Sequence, residues 1–300
     1  MQHKDDERCA EFRPRSILIV GCGLIGASAA YALRERLGHA CVIDGVEKSE
    51  EHRTILLRSG RFTNVFSALP APEQKYDLAI LALPVSTAVQ FMHKVSQLAD
   101  ILMDVCSVKL PLCHAAQALH LEERFAPTHP MAGLASEGPL EATADLFTNR
   151  SWLTIEGWPA AERLRTLIES IGADFGTVAS AEQHDSLMAV VSHGIHLTSL
   201  ASMLAYQDMK ETLPALSAKY CGPGFRDVTR LAASPSGFWT STLLFNRVQT
   251  ATHLKKVINE LEHFVDVLEQ GDEIRLKEAL EKSRAARLLW ETEKGNTSNV

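Results

Sequence analysis

A short apolar run, Ser16–Val20, leads without a break into Gly21, Cys22, Gly23, Leu24, Ile25 and Gly26, and the alanine-rich stretch Ala27–Arg36 follows at once. A strand that turns directly into a helix needs one glycine for the tight turn. It needs a second where backbone must approach a ligand, and a third where helix and strand pack closely. Amides at the start of such a helix, at the positive end of its dipole, suit a pyrophosphate. The strand–turn–helix context sets this motif apart from a glycine-rich turn without chemistry. Gly21, Gly23, Leu24, Ile25 and Gly26 are therefore candidate dinucleotide contacts.

The first half repeats the strand–helix rhythm. Apolar runs at Cys41–Val46, Leu78–Leu83, Ile101–Val105 and Trp152–Ile155 alternate with helix-compatible stretches such as Thr87–Leu98 and Leu110–Leu121. Such a pattern predicts a parallel sheet covered on both faces, an α/β fold. From Glu182 onward no convincing strand is visible. Gln183–Gln207, Phe238–Glu269 and Glu273–Glu291 read as long helices, the last two separated at Gly271, and the polar tail Gly295–Val300 reads as frayed. The predicted organisation is a dinucleotide-binding domain over residues 14–179, followed by an all-helical domain over residues 180–294.

A net charge of −7 argues against nonspecific nucleic-acid binding but leaves room for a local cationic pocket that holds an anionic substrate. The six cysteines form no C-x-x-C pair and no cluster with histidine, so neither a disulfide framework nor a metal site is expected. The charged N-terminus lacks a signal-like apolar region, and no run reaches the length of a membrane-spanning helix. A cytoplasmic protein is expected, with a small-molecule ligand and no nucleic acid or membrane partner.

Glu47 closes the second apolar run, 21 residues after Gly26. A carboxylate there can accept both ribose hydroxyls and repel a 2′-phosphate, which favours NAD without excluding NADP. Asp44 is a rival for that role, and Glu47 could also be a solvated loop charge.

Four further segments place polar residues where loops should be. Ser107 and Lys109 follow an apolar strand, at the end where ligands bind in open α/β sheets, although Ser107 could equally cap the helix after it. His129, just before Pro130 in an extended connection, suits a general base or a structural histidine. His193 and His196 share one helix face after His184 and Asp185; without a carboxylate at the right spacing, they make a poor metal motif. Arg226 and Arg230, at i and i+4 after two glycines, could clamp carboxylates or pair with Asp227 at the surface.

Taken in order, G-L-I-G-A-S, D-V-C-S-V-K, H-P-M-A-G, H-D…S-H-x-x-H-L and G-P-G-F-R-D-V-T-R-L-A-A-S resemble the prephenate dehydrogenase family, which includes arogenate and cyclohexadienyl dehydrogenases. Phe238-Trp239 and Asn246-Arg247 match its later part. Ala27 and Cys106 stand where many relatives carry glycine. The resemblance runs from about Ser16 to Trp290. It implies a Rossmann-type domain and a helical domain that binds substrate and pairs with a second copy in a homodimer. It further implies NAD-dependent oxidative decarboxylation of a cyclohexadienyl acid on the route to tyrosine. In this resemblance His129 is the base, Ser107 its companion, and Arg230 the carboxylate anchor, with Arg226, Lys109, His193 and His196 on the substrate side. The 4-amino analogue of prephenate is the alternative substrate; a β-hydroxyacid-type dehydrogenase and a non-catalytic dinucleotide-binding protein are more distant ones.

Overall fold

Strands buried on both faces belong in the interior of a sheet, and their positions organise this protein. Eight strands are present: β1 (Ser16–Val20), β2 (Val42–Val46), β3 (Asn64–Phe66), β4 (Tyr76–Leu81), β5 (Ala99–Asp104), β6 (Phe125–Pro130), β7 (Ser151–Ile155) and β8 (Asp174–Val178). They form one sheet in the order β3-β2-β1-β4-β5-β6-β7-β8. β1 to β6 run parallel, β7 is antiparallel to β6, and β8 is parallel to β7. Ile17, Leu18 and Ile19 in β1 and Leu78 to Leu81 in β4 are fully buried. Between these two strands the chain order reverses direction, which opens a crevice beyond their carboxyl ends. This computed structural model describes residues 12–133, 138–213 and 218–297.

Helices α1 (Leu24–Leu37), α2 (Glu50–Arg58), α3 (Val85–Ser96), α4 (Leu110–Ala118) and α5 (Pro159–Ser170) connect the strands. After β8 come α6 (Ala181–Met188), α7 (Gly194–Thr212), α8 (Pro223–Thr229), α9 (Ser236–Phe245), α10 (Arg247–Gln270) and α11 (Glu273–Thr297). The chain divides into two compact units at Gln249/Thr250. In the second, Gly271 turns at φ 63° and the Asp272 carboxylate accepts from the Arg275 amide, starting α11.

The parallel α/β sheet and the helical C-terminal region agree with the sequence reading; several boundaries do not. β3, β6 and β8 are too short or too mixed in composition to stand out as apolar runs. His129 is consequently part of β6, not of a connection after it. The stretch Gln183–Gln207 is interrupted by a π turn at Ala189–His193, and Phe238–Glu269 is broken between α9 and α10 at Asn246. α11 continues through Thr297, so the tail is helical where fraying was expected, and residues 298–300 lie outside the described chain. The helical path Ala181–Lys210 is also long and apolar enough to cross a membrane by length and composition alone, contrary to the expectation that no run reaches that length.

Candidate active site

The glycine-rich turn separates its three glycines by their physical reasons. Gly21 has φ +92°, and a Cβ there would lie 2.4 Å from the Ala82 carbonyl oxygen. A Cβ on Gly26 would lie 2.0 Å from the Gly21 carbonyl oxygen. Backbone geometry alone therefore demands these two. A Cβ on Gly23 would meet nothing within 4 Å, so the protein itself does not require glycine there. The space is open in front of the first turn of α1, which has no side-chain cap, and it fits a pyrophosphate drawn close to those amides. Leu24 is buried and Ile25 packs against the core, so each offers a ligand its backbone amide and not its side chain.

The two acidic candidates for the ribose also separate. Asp44 is fully buried; its carboxylate accepts from the Asn64 amide and Nδ2, from Gln74 Nε2 and from the Tyr76 hydroxyl. It is a structural acceptor. Glu47 follows β2 directly, its Oε1 accepts from the Ser49 amide at 2.9 Å, and His52 Nδ1 lies 3.8 Å from the same oxygen.

At the carboxyl end of β5, Asp104 is fully buried and pairs with the ammonium of Lys109, which also donates to the Thr128 carbonyl at 2.5 Å. Burial pushes the Asp104 carboxyl above its ordinary range, opposed by Lys109 and by the amides of Cys106 and Thr128. Lys109 is thus a fully buried structural cation between β5 and β6, not a substrate ligand. Neither does Ser107 cap α4. The cap position is Lys109, and the Asp185 carboxylate from α6 accepts from the amides of Lys109 (2.7 Å) and Leu110 (3.0 Å). Ser107 Oγ is buried without a hydrogen-bond partner among the described residues. A buried hydroxyl left unpaired is costly unless a ligand completes it. Cys106 and Ala27 pack in the core, and Cys106 Sγ donates to the Leu83 carbonyl.

His129 sits near the carboxyl end of β6. Asp104 pairs with Pro127 across β5 and β6, and Ser107 follows β5 by three residues beside the strand that carries His129. His129 Nδ1 lies 3.0 Å from His184 Nε2, and His184 Nδ1 lies 2.8 Å from Asp185 Oδ1. Burial, then the neighbouring His184, Lys109 and His193, holds the His129 imidazole well below the ordinary histidine range. His184 is also lowered, chiefly by burial and against the pull of Asp185.

The π turn at Ala189–His193 joins this cluster to His193 and His196. On an uninterrupted α-helix, Asp185 and His193 would lie about 80° apart around the axis. A π turn absorbs one extra residue, about 100° of rotation, and brings the two side chains nearly onto one face. Asn246, at the break between α9 and α10, donates through Nδ2 to the Asp185 carbonyl (2.7 Å) and contacts His193 Nδ1 (2.9 Å). The Trp239 ring stacks on His196 at 3.6 Å and meets His193 edge-on. His193 Nε2, His196 Nδ1 and Ser199 Oγ are buried without partners among the described residues. Burial pushes His193 down to about 4. The sequence offered no role for His184, Asp185, Trp239 or Asn246, because their contacts to His129, Lys109, His193 and His196 join residues that are distant along the chain.

Arg226 lies in the last turn of α8, and Arg230 begins the 3₁₀ turn that follows it; both side chains are exposed. That turn packs against α7, the helix of His196. Neither guanidinium pairs with Asp227 among the described residues, so the surface-pairing alternative is not what the structure shows.

A dinucleotide turn at a sheet's switch point, with buried neutral histidines and an unpaired hydroxyl nearby, defines a nicotinamide-dependent dehydrogenase. Residues 29–175 match the model of the prephenate dehydrogenase nucleotide-binding domain, and residues 180–282 that of the prephenate dehydrogenase dimerization domain. The chain belongs to the prephenate dehydrogenase family and is an oxidoreductase of the prephenate/arogenate dehydrogenase type. It is 28% identical over 266 residues to the prephenate dehydrogenase of Bacillus subtilis, covering 86% of this chain and 71% of that one. It is likewise 28% identical over 288 residues to the cyclohexadienyl dehydrogenase of Zymomonas mobilis, covering 93% and 97%. The crystal structure of prephenate dehydrogenase from A. aeolicus, in complex with hydroxyphenyl propionate and NAD+, superposes with a TM-score of 0.79. The match has 25% identity and covers 91% of this chain and 97% of that one.

Proposed function

We propose that this chain oxidises and decarboxylates prephenate or arogenate with NAD, using His129 as the general base. The supporting observation is a buried, neutral His129 near the end of β6, with the unpaired Ser107 hydroxyl in the segment that follows the adjacent strand β5. A nicotinamide cofactor held at the Gly21–Gly26 turn would supply the acceptor for hydride from the ring carbon that carries the hydroxyl. His129 takes the hydroxyl proton as the C–H bond breaks, the bond to the ring carboxylate breaks to release carbon dioxide, and its electron pair enters the ring. The proton returns to the oxygen as the aromatic product forms. Ser107 supplies a hydrogen bond on the cofactor side, and His193, His196 and the arginines hold the substrate. Aromatisation drives the reaction, so the protein's task is orientation and one proton transfer. Steady-state kinetics on prephenate, arogenate and the 4-amino analogue tests the reading; hydride transfer from none of them would overturn it.

The pinned Glu47 carboxylate underlies the NAD assignment. NAD should have the higher kcat/KM, and Glu47→Ala should narrow the ratio to NADP. A wild-type preference for NADP would refute the role of Glu47.

We further propose that the chain acts as a homodimer through its C-terminal helices. In the first unit Leu187, Val190, Val191 and Ile195 are exposed on α6 to α7. In the second, Ile258, Leu261, Val265 and Leu268 are exposed on α10 at the alternating spacing of a helix seam. Apolar rows of this kind are normally covered by a partner. Light scattering at low micromolar concentration should report twice the chain mass, whereas a monomer would contradict the proposal.

A further inference from the structure

We propose that Asp185 is a positioning residue that sets opposite tautomers in two histidines of the site, leaving a bare Nε2 on His129 and an Nε2–H on His193. This rests on the reading of His129 as the base. The derivation starts from groups with only one possible role. The amides of Lys109 and Leu110 can only donate, so they hold Oδ1 and Oδ2 of Asp185 as acceptors. His184 Nδ1 also meets Oδ1, at 2.8 Å, and must therefore be the N–H of its ring. A neutral imidazole carries one N–H. His184 Nε2 is then bare and accepts from His129 Nδ1, which lies 3.0 Å away. That places the single proton of His129 on Nδ1 and leaves Nε2 with its lone pair.

The backbone of the same residue governs the second ring. The Asp185 carbonyl can only accept, so the Asn246 atom 2.7 Å from it must be the amide nitrogen. The other hydrogen of that nitrogen is directed to His193 Nδ1 at 2.9 Å, which makes Nδ1 the acceptor. The proton of His193 is on Nε2, buried and without a partner among the described residues. Burial keeps the three rings neutral near pH 7, the condition the derivation needs. The site therefore offers one bare acceptor and one donor before any substrate arrives: the acceptor suits a hydroxyl proton, and the donor suits a carboxylate or carbonyl oxygen. Such preorganisation spares reorientation during the reaction. Asp185 thus acts on His184 through its carboxylate and on His193 through its backbone carbonyl by way of Asn246.

Nitrogen-15 spectra of histidine-labelled full-length protein read the tautomers directly, with signals assigned by single-histidine substitutions. The expected result is His129 protonated at Nδ1 and His193 at Nε2. His184→Leu should erase the preference in His129 and lower kcat about two- to ten-fold, the worth of one neutral hydrogen bond, with little change in KM. His184→Gln, which presents a donor and an acceptor at similar spacing, should restore both. Asn246→Leu should release His193 alone. A wild-type spectrum with His129 protonated at Nε2 or His193 at Nδ1 overturns the proposal whatever the kinetics of His184→Leu. An unchanged His129 signal in His184→Leu would also overturn it. Failure of the base assignment has a different signature: His129→Ala would keep normal kcat while the wild-type tautomers stand as derived.

Discussion

Replacing His129 with alanine is expected to lower kcat by about 10²–10⁴-fold, the usual contribution of a positioned general base, with only a modest change in KM. The split follows from when the contact matters. In the proposed reaction His129 would touch the hydroxyl in the bound substrate, but would stabilise charge only as the proton moves. The pH profile is the sharper test. Protonated His129 cannot accept a proton, so activity falls on the acid side as its ring titrates. An unperturbed histidine would place that limb in its ordinary range, about 6.5. Burial beside His184, Lys109 and His193 moves it well below that range, so the enzyme should keep full activity at pH values where an exposed histidine would be protonated. Stability sets a second acid limit. The buried histidines bind protons more weakly in the folded state than their ordinary value of 6.5, and His193 falls to about 4. Their neutral burial contributes stability in full above 6.5, progressively less as pH falls, and none below the folded values. Circular dichroism at each pH separates the two limits. A His129→Ala enzyme with normal kcat and the wild-type acid limb would move the base elsewhere, with His193 or His196 the next to test.

Arg230→Ala should fail in the opposite way, by raising KM about ten- to a hundred-fold with less effect on kcat. The guanidinium is exposed on a turn that packs against α7, where it can meet a substrate carboxylate before hydride transfer begins. Charge-assisted hydrogen bonds contribute roughly 1.5–3 kcal/mol, which converts to about that change in affinity. Lysine at this position should recover only part of the loss, since it keeps the charge but not the planar fork. Steady-state kinetics on the three proteins decides it: a normal KM in Arg230→Ala would take the arginine out of the site.

The fold was legible from Ser16–Val20 onward because its determinants are local. A strand buried on both faces needs a continuous apolar run, a glycine-rich turn needs its glycines at fixed offsets, and both sit within a few residues in the sequence. The residues worth attention at the site were legible too, since polar groups at strand ends stand out against their apolar surroundings. What each does was not, because roles depend on partners that only folding supplies. Lys109 and Arg230 are both cations beside glycine or apolar segments, yet one is sealed against Asp104 and Thr128 while the other faces solvent. Asp44 and Glu47 are three residues apart; the first lies inside β2, fully buried among Asn64, Gln74 and Tyr76, while the second follows the strand's end and its carboxylate accepts only from the Ser49 amide among the described hydrogen bonds. The His129–His184 contact spans 55 residues and the Asn246–His193 contact 53, and no pattern along the chain encodes such pairings. Local pattern along the chain was enough for a dinucleotide-binding sheet and a helical region after it. Tertiary structure alone decided which polar groups are spent on holding backbone and which are left with a free lone pair or proton. A buried polar atom must find a partner, and that requirement is met across the fold, not along the chain.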